Sequence, residues 1–91
     1  MIERDRPELV LDVGNSRMKL GLFRGGRLVD HRSASPGDGN AVHTILDRSV
    51  PGRIGIGSVG ASDPAFLSLL RGLAPLSEFT GASPAPVRLR Y

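Results

Sequence analysis

The chain has 91 residues, with Lys+Arg 12 against Asp+Glu 9 for a net charge of +3, and 40% of its residues are hydrophobic. A chain this short buries roughly 60 to 65% of the surface it exposes when unfolded, which allows one two-layer core and speaks against any activity that needs a cleft between two domains. It contains no cysteine, which excludes a disulfide scaffold, a thiolate metal site and a cysteine nucleophile.

The charged opening Met1-Ile2-Glu3-Arg4-Asp5-Arg6 is not followed by a signal-type apolar core. No apolar run reaches the roughly 18 to 20 residues that cross a bilayer, so a cytoplasmic protein with no membrane partner is expected. Leu9-Val10-Leu11-Asp12-Val13 reads as a buried strand closed by a turn at Gly14-Asn15. Residues 17–23 then alternate: Met18, Leu20 and Leu22 share one face, and Arg17, Lys19 and Gly21 the other, which predicts a half-buried strand. Arg24-Gly25-Gly26-Arg27 suits a tight reversal, returning the chain antiparallel through residues 28–32. A three-stranded meander therefore comes first.

Residues 33–40 are a Ser, Pro, Gly and Asp loop, with Asn40 the expected N-cap of a helix over residues 41–48 whose apolar face is Ala41, Val42, Ile45 and Leu46. Pro51-Gly52 stops that helix, and residues 53–59 read as a strand in which branched residues alternate with glycines. Ser62, Asp63 and Pro64 form a helix start, and Phe66, Leu67, Leu70 and Leu73 its apolar face. Gly72 and Pro75 end it. One more short strand over residues 76–80 precedes a linker-like stretch and the ending Val87-Arg88-Leu89-Arg90-Tyr91. The order of strand, strand, strand, helix, strand, helix, strand predicts an α/β fold with right-handed crossovers to parallel neighbours and an antiparallel hairpin on one side.

The eleven arginines are scattered from Arg4 to Arg90, and aromatic content is 4% with no Trp. Nucleic-acid modules cluster their cations and, for single strands, interleave aromatics, so no nucleic-acid partner is expected. Lys19 is the one lysine of the chain.

The stretch with most chemistry runs from Asp12 to Lys19. An acid leaving an apolar strand is costly to bury as an anion unless a cation or donors meet it, and a hydrated Mg²⁺ is a natural partner. Gly14 removes a side chain so that backbone N–H groups can approach phosphate oxygens, and Asn15 and Ser16 add neutral donors. Lys19, on the strand face of Arg17, can bring a point charge to a phosphate. Gly-Asn is also a common hairpin turn, and an Asp before it often hydrogen-bonds its own turn. On spacing alone the two readings stand level.

Asp12-Val13-Gly14-Asn15-Ser16, followed by Lys19-Leu20-Gly21-Leu22-Phe23, a Gly-Gly reversal and Leu28-Val29, closely resembles the amino-terminal phosphate motif of type III pantothenate kinases, a family that includes Bvg accessory factor proteins. The resemblance implies a ribonuclease-H-like core of the actin, Hsp70 and sugar-kinase superfamily: a mixed five-stranded sheet with an antiparallel meander first and helices packed on it. Residues 1–80 would be the nucleotide-phosphate-binding lobe, and residues 81–91 a linker toward a second lobe. By position, Asp12 would hold Mg²⁺ through water, Gly14, Asn15, Ser16, Arg17 and Lys19 would contact ATP, and Tyr91 would contact pantothenate. Ser16 stands where many members have Thr and keeps the hydroxyl, whereas Gly60 stands where a Val-Pro pair is common. The implied activity is phosphorylation of pantothenate, the first step of coenzyme A synthesis, by a homodimer using ATP, Mg²⁺ and a monovalent cation, K⁺ or NH₄⁺. The family's Gly-x-Asp-Arg motif, with the general base, follows the tyrosine and does not occur in these residues. Little or no turnover is therefore expected of this chain alone.

Two other readings compete. A non-catalytic nucleotide-binding, accessory or regulatory module would keep the fold without the chemistry. Gly55, Gly57 and Gly60 also spell G-x-G-x-x-G with Glu78 downstream, the pattern of a dinucleotide-binding domain, although only Ile54 precedes the first glycine in its strand and the helix opens beyond the motif. His31 and His43 lack the further ligands a metal site needs, and are expected to be exposed or capping residues.

Overall fold

Alternation of apolar residues at period two, and helical segments each with one apolar face, account for the elements seen. The computed structural model describes residues 6–58 and 63–79. Val59, Gly60, Ser62, Thr80, the linker over 81–86 and Tyr91 lie outside the described residues, as do residues 1–5. The elements are β1 (Glu8–Val13), β2 (Met18–Arg24), β3 (Arg27–Ala34), α1 (Gly39–Leu46), β4 (Arg53–Ser58), α2 (Pro64–Leu73) and β5 (Leu76–Phe79), in the predicted order.

They form one mixed five-stranded sheet in the order β3-β2-β1-β4-β5. β2 pairs antiparallel with β1 and β3, while β4 runs parallel to β1 and β5 parallel to β4. β1 is therefore central and hydrogen-bonded on both sides. Its alternate residues Leu9 and Leu11 join Met18, Leu20 and Leu22 of β2 and Ile54 and Ile56 of β4 in one buried cluster. Val42, Ile45 and Leu46 of α1 and Phe66 and Leu70 of α2 complete that cluster, so both helices pack on the same face of the sheet. Each fully buried Leu or Ile contributes about 1.5 to 3 kcal/mol of transfer free energy, which makes this layer the main source of stability.

The hairpin between β2 and β3 turns through Gly25 at φ 58 and Gly26 at φ 79, the left-handed pair that a two-residue reversal requires. β2 is more deeply buried than its alternation suggested, since Gly21 and Phe23 on its other face are also buried.

The helix caps differ from expectation. The N-cap of α1 is Asp38, whose carboxylate accepts from the N–H groups of Asn40 (3.0 Å) and Ala41 (3.2 Å), so Asn40 already lies inside the helix. Gly37, at φ 81, brings the chain round one turn earlier and lets the aspartate reach. The helix stops at Leu46 rather than residue 48 because Asp47 (φ 46) and Arg48 (φ 70) leave helical geometry, with the Asp47 N–H donating to the His43 carbonyl. Pro51 and Gly52 come after that stop. In α2 the N-cap is Asp63, accepting from the Ala65 N–H at 3.2 Å, and Pro64 fills the first turn. Gly72 is tolerated inside the helix, which ends at Leu73 before Pro75.

Candidate functional site

Register sets the site. Asp12 is the Cα partner of Lys19 on β2 and of Gly57 on β4, and the same row continues to Ser33 on β3 and Phe79 on β5. Because Leu11 and Val13 point to the helix side, Asp12 stands on the opposite face with Lys19. Opposed residues of antiparallel strands hold their Cβ atoms about 4.5 to 5.5 Å apart, so the carboxylate and the ammonium stem rise side by side. Gly57, the Cα partner of Asp12 on its other side, carries no side chain of its own.

Asp12 is exposed, and its carboxylate takes no hydrogen bond or ion pair from any described residue. The alternative in which this acid only satisfies its own turn is therefore not what the chain adopts. The turn closes without it, through the Gly14 N–H donating to the Arg17 carbonyl at 2.8 Å. A Cβ on Gly14 would lie 3.2 Å from that carbonyl oxygen, close enough that the turn would have to shift by a few tenths of an ångström to admit it. One expectation changes as a result. The Gly14 N–H is occupied, and the backbone N–H groups that carry no hydrogen bond among the described residues are those of Asn15, Ser16 and Arg17.

Asn15, Ser16 and Arg17 are exposed, and Arg17 belongs to the turn rather than to the strand, which begins at Met18. Lys19 is half-buried and already engaged in an interaction. The structure thus brings together Asp12, Gly14, Asn15, Ser16, Arg17 and Lys19 at one end of the sheet. Tyr91 lies outside the described residues. Sequence reading passed over Ser58, which is the register partner of Val13 and brings a second hydroxyl to the same end. Its only signal in sequence was its place at the end of a strand parallel to β1.

Among the described residues no three His, Cys, Asp or Glu side chains gather as a metal site. A lone carboxylate does not hold a resident cation. It does suit Mg²⁺ arriving with nucleotide phosphates, since that ion keeps much of its water and takes few protein ligands. His31 on β3 and His43 in the last turn of α1 form no such group.

The glycine-rich alternative fails on position. Gly55 and Gly57 lie inside β4, paired with Val10 and Asp12 on one side and with Ser77 and Phe79 on the other. A dinucleotide fingerprint needs its first glycines in the turn after a strand, opening a helix. Here they are ladder residues, and the dinucleotide-binding reading is withdrawn.

No protein-family model matches the sequence. No curated protein matches it. Among solved structures the chain is similar to YeaZ from Pseudomonas aeruginosa, with a TM-score of 0.53 and 17% identity over 82% of this chain and 44% of that one. It is also similar to the foamy viral protease-reverse transcriptase dRH in complex with ds DNA, with a TM-score of 0.50 and 7% identity over 86% of this chain and 21% of that one. The chain therefore spans less than half the length of either. Together with the mixed sheet and its strand order, the likeness to YeaZ shows the fold: an α/β, ribonuclease-H-like core.

Proposed function

We propose that this chain is the nucleotide-phosphate-binding lobe of an ATP-dependent phosphotransferase, and that the turn over residues 14–17 is its phosphate loop. The observation that carries the reading is the juxtaposition of the Asp12 carboxylate, Lys19 across the strand, and three backbone N–H groups in the adjoining turn, the carboxylate and the N–H groups taking no hydrogen bond among the described residues. Amide donors and a lysine hold phosphate oxygens, and an isolated carboxylate beside them suits a cation carried by those phosphates. When bound, Mg²⁺ would supply neutralisation of phosphate charge.

Each residue then has a task. The Asn15, Ser16 and Arg17 amides and the Ser16 hydroxyl fix the phosphates. Arg17 and Lys19 add positive charge, and Asp12 orients the ion's water. Gly14 keeps the turn tight enough for this. The acceptor proposed is pantothenate, on the resemblance of residues 12–29 to type III pantothenate kinases, with Tyr91 as its contact, a monovalent cation as activator and a homodimer as the working form. The proposed boundary between lobe and linker remains at residues 80 and 81.

A second reading, a nucleotide-binding module without catalysis, is favoured by one observation. Apart from Asp12, none of the described residues in this row is a carboxylate or imidazole able to take the proton from an acceptor hydroxyl. Calorimetric titration with a non-hydrolysable ATP analogue and Mg²⁺, alongside a coupled ADP-release assay with pantothenate, separates the possibilities. Binding without turnover is the result expected of these residues. Absence of binding refutes the phosphate loop, and ordinary kinase rates refute the assignment of the base to a later segment.

A further inference from the structure

The two flanks of Asp12 are unlike. On the β4 side its register partner is Gly57, whereas on the β2 side stand Lys19 and then Ser33 of β3 in the same row. Ser33 shares the helix-free face with Asp12 and Lys19, because its neighbour Ala34 packs against the core on the helix side. The Ser33 side chain is exposed, and its hydroxyl makes no hydrogen bond among the described residues. The backbone that carries it is held beyond the strand end as well as within the ladder: Ala34 pairs with Met18, and the Ser35 carbonyl accepts from the Asp38 N–H at 3.2 Å.

Charge sets the direction in which an anion extends from Asp12. Lys19 on β2 and Arg17 in the turn are cations, while β4 brings a glycine to the other flank. A polyphosphate whose ion is met by Asp12 is therefore drawn from β1 toward β3. Mg²⁺ bridges the β- and γ-phosphates of a nucleotide, which sets those groups at the Asp12 end and leaves the α-phosphate and the sugar on the β3 side. Neighbouring strands lie about 4.7 to 4.9 Å apart, so Ser33, two strands away, stands about 9.5 Å from Asp12 across the row. A hydroxyl both donates and accepts, as the hydroxyls of a sugar do, whereas a phosphate oxygen offers acceptors only.

Building on the phosphate loop proposed above, we infer that Ser33 is a specificity-determining residue for the nucleotide: its hydroxyl hydrogen-bonds the ribose and so distinguishes a nucleoside triphosphate from inorganic triphosphate. It is a binding contact and takes no part in phosphoryl transfer. A serine that merely fills an exposed position on an edge strand would leave the affinities for both ligands alike.

The test is calorimetric titration of the full chain with MgATP, with magnesium tripolyphosphate and with the magnesium complex of 2′,3′-dideoxy-ATP. Ser33→Ala should weaken MgATP binding about three- to tenfold, the loss of one neutral hydrogen bond, and leave tripolyphosphate affinity and melting temperature at wild-type values. Ser33→Thr, which keeps the hydroxyl, should bind MgATP as the wild type does. The wild type should bind the dideoxy nucleotide about as weakly as Ser33→Ala binds MgATP, and the alanine variant should not tell the two nucleotides apart. Wild-type MgATP affinity in Ser33→Ala, or an equal loss for tripolyphosphate, would overturn the ribose contact and leave the phosphate loop standing. A wild-type chain that binds none of the three ligands would overturn both.

Discussion

At the residue scale, Asp12 and Gly14 have separable duties. Asp12 is exposed and takes no hydrogen bond or ion pair from a described residue, so Asp12→Asn should leave the melting temperature unchanged while weakening MgATP binding. Binding of ATP without Mg²⁺ should respond far less. Lys19→Ala should weaken both, because its ammonium would meet phosphate directly. Equal losses with and without Mg²⁺ for Asp12→Asn, read by calorimetry, would remove the ion from the account. Gly14→Ala is a structural change: its Cβ would press on the Arg17 carbonyl at 3.2 Å, a backbone atom that yields only if the turn opens. A loss of about 1 kcal/mol in denaturant stability is expected, together with weaker phosphate binding. The residues of this motif were legible in sequence because strand, turn and strand follow one another without a gap. Which amides stay free was not, since the Gly14 hydrogen bond depends on the turn's closed geometry.

At the element scale, Asp38 and Asn40 give a direct comparison. Both are good N-cap residues two positions apart, and composition does not rank them. The left-handed Gly37 decides it by turning the chain before Asp38. Asp38→Ala should therefore cost about 1 kcal/mol in chemical denaturation, and Asn40→Ala only a few tenths. The reverse order would restore the cap to Asn40. The strands were readable because Leu9, Leu11, Met18, Leu20, Leu22, Ile54 and Ile56 recur at period two, and all of them are buried. Gly72 was misread as a stop because one glycine in a helix weakens it without ending it, and Leu70 and Leu73 anchor the last turn on the core. Leu11→Ala, emptying a fully buried position on the central strand, should cost about 2 to 5 kcal/mol.

At the scale of the whole molecule, β1 runs from Glu8, in register with Arg53 of β4, to the turn over residues 14–17 that we propose as the phosphate loop. The fold class was legible as a succession of elements, and the likeness to YeaZ bears out its ribonuclease-H-like core. The matched residues, 82% of this chain, cover 44% of YeaZ. The measurement that bears most directly on the central claim is a calorimetric titration of MgATP into the wild-type chain and the Asp12→Asn variant at equal ionic strength. Saturable one-to-one binding by the wild type, weakened about tenfold or more in the variant only when Mg²⁺ is present, is the predicted result. No heat of binding to the wild type, or an isotherm indifferent to Asp12, would contradict the assignment of this turn as a phosphate loop.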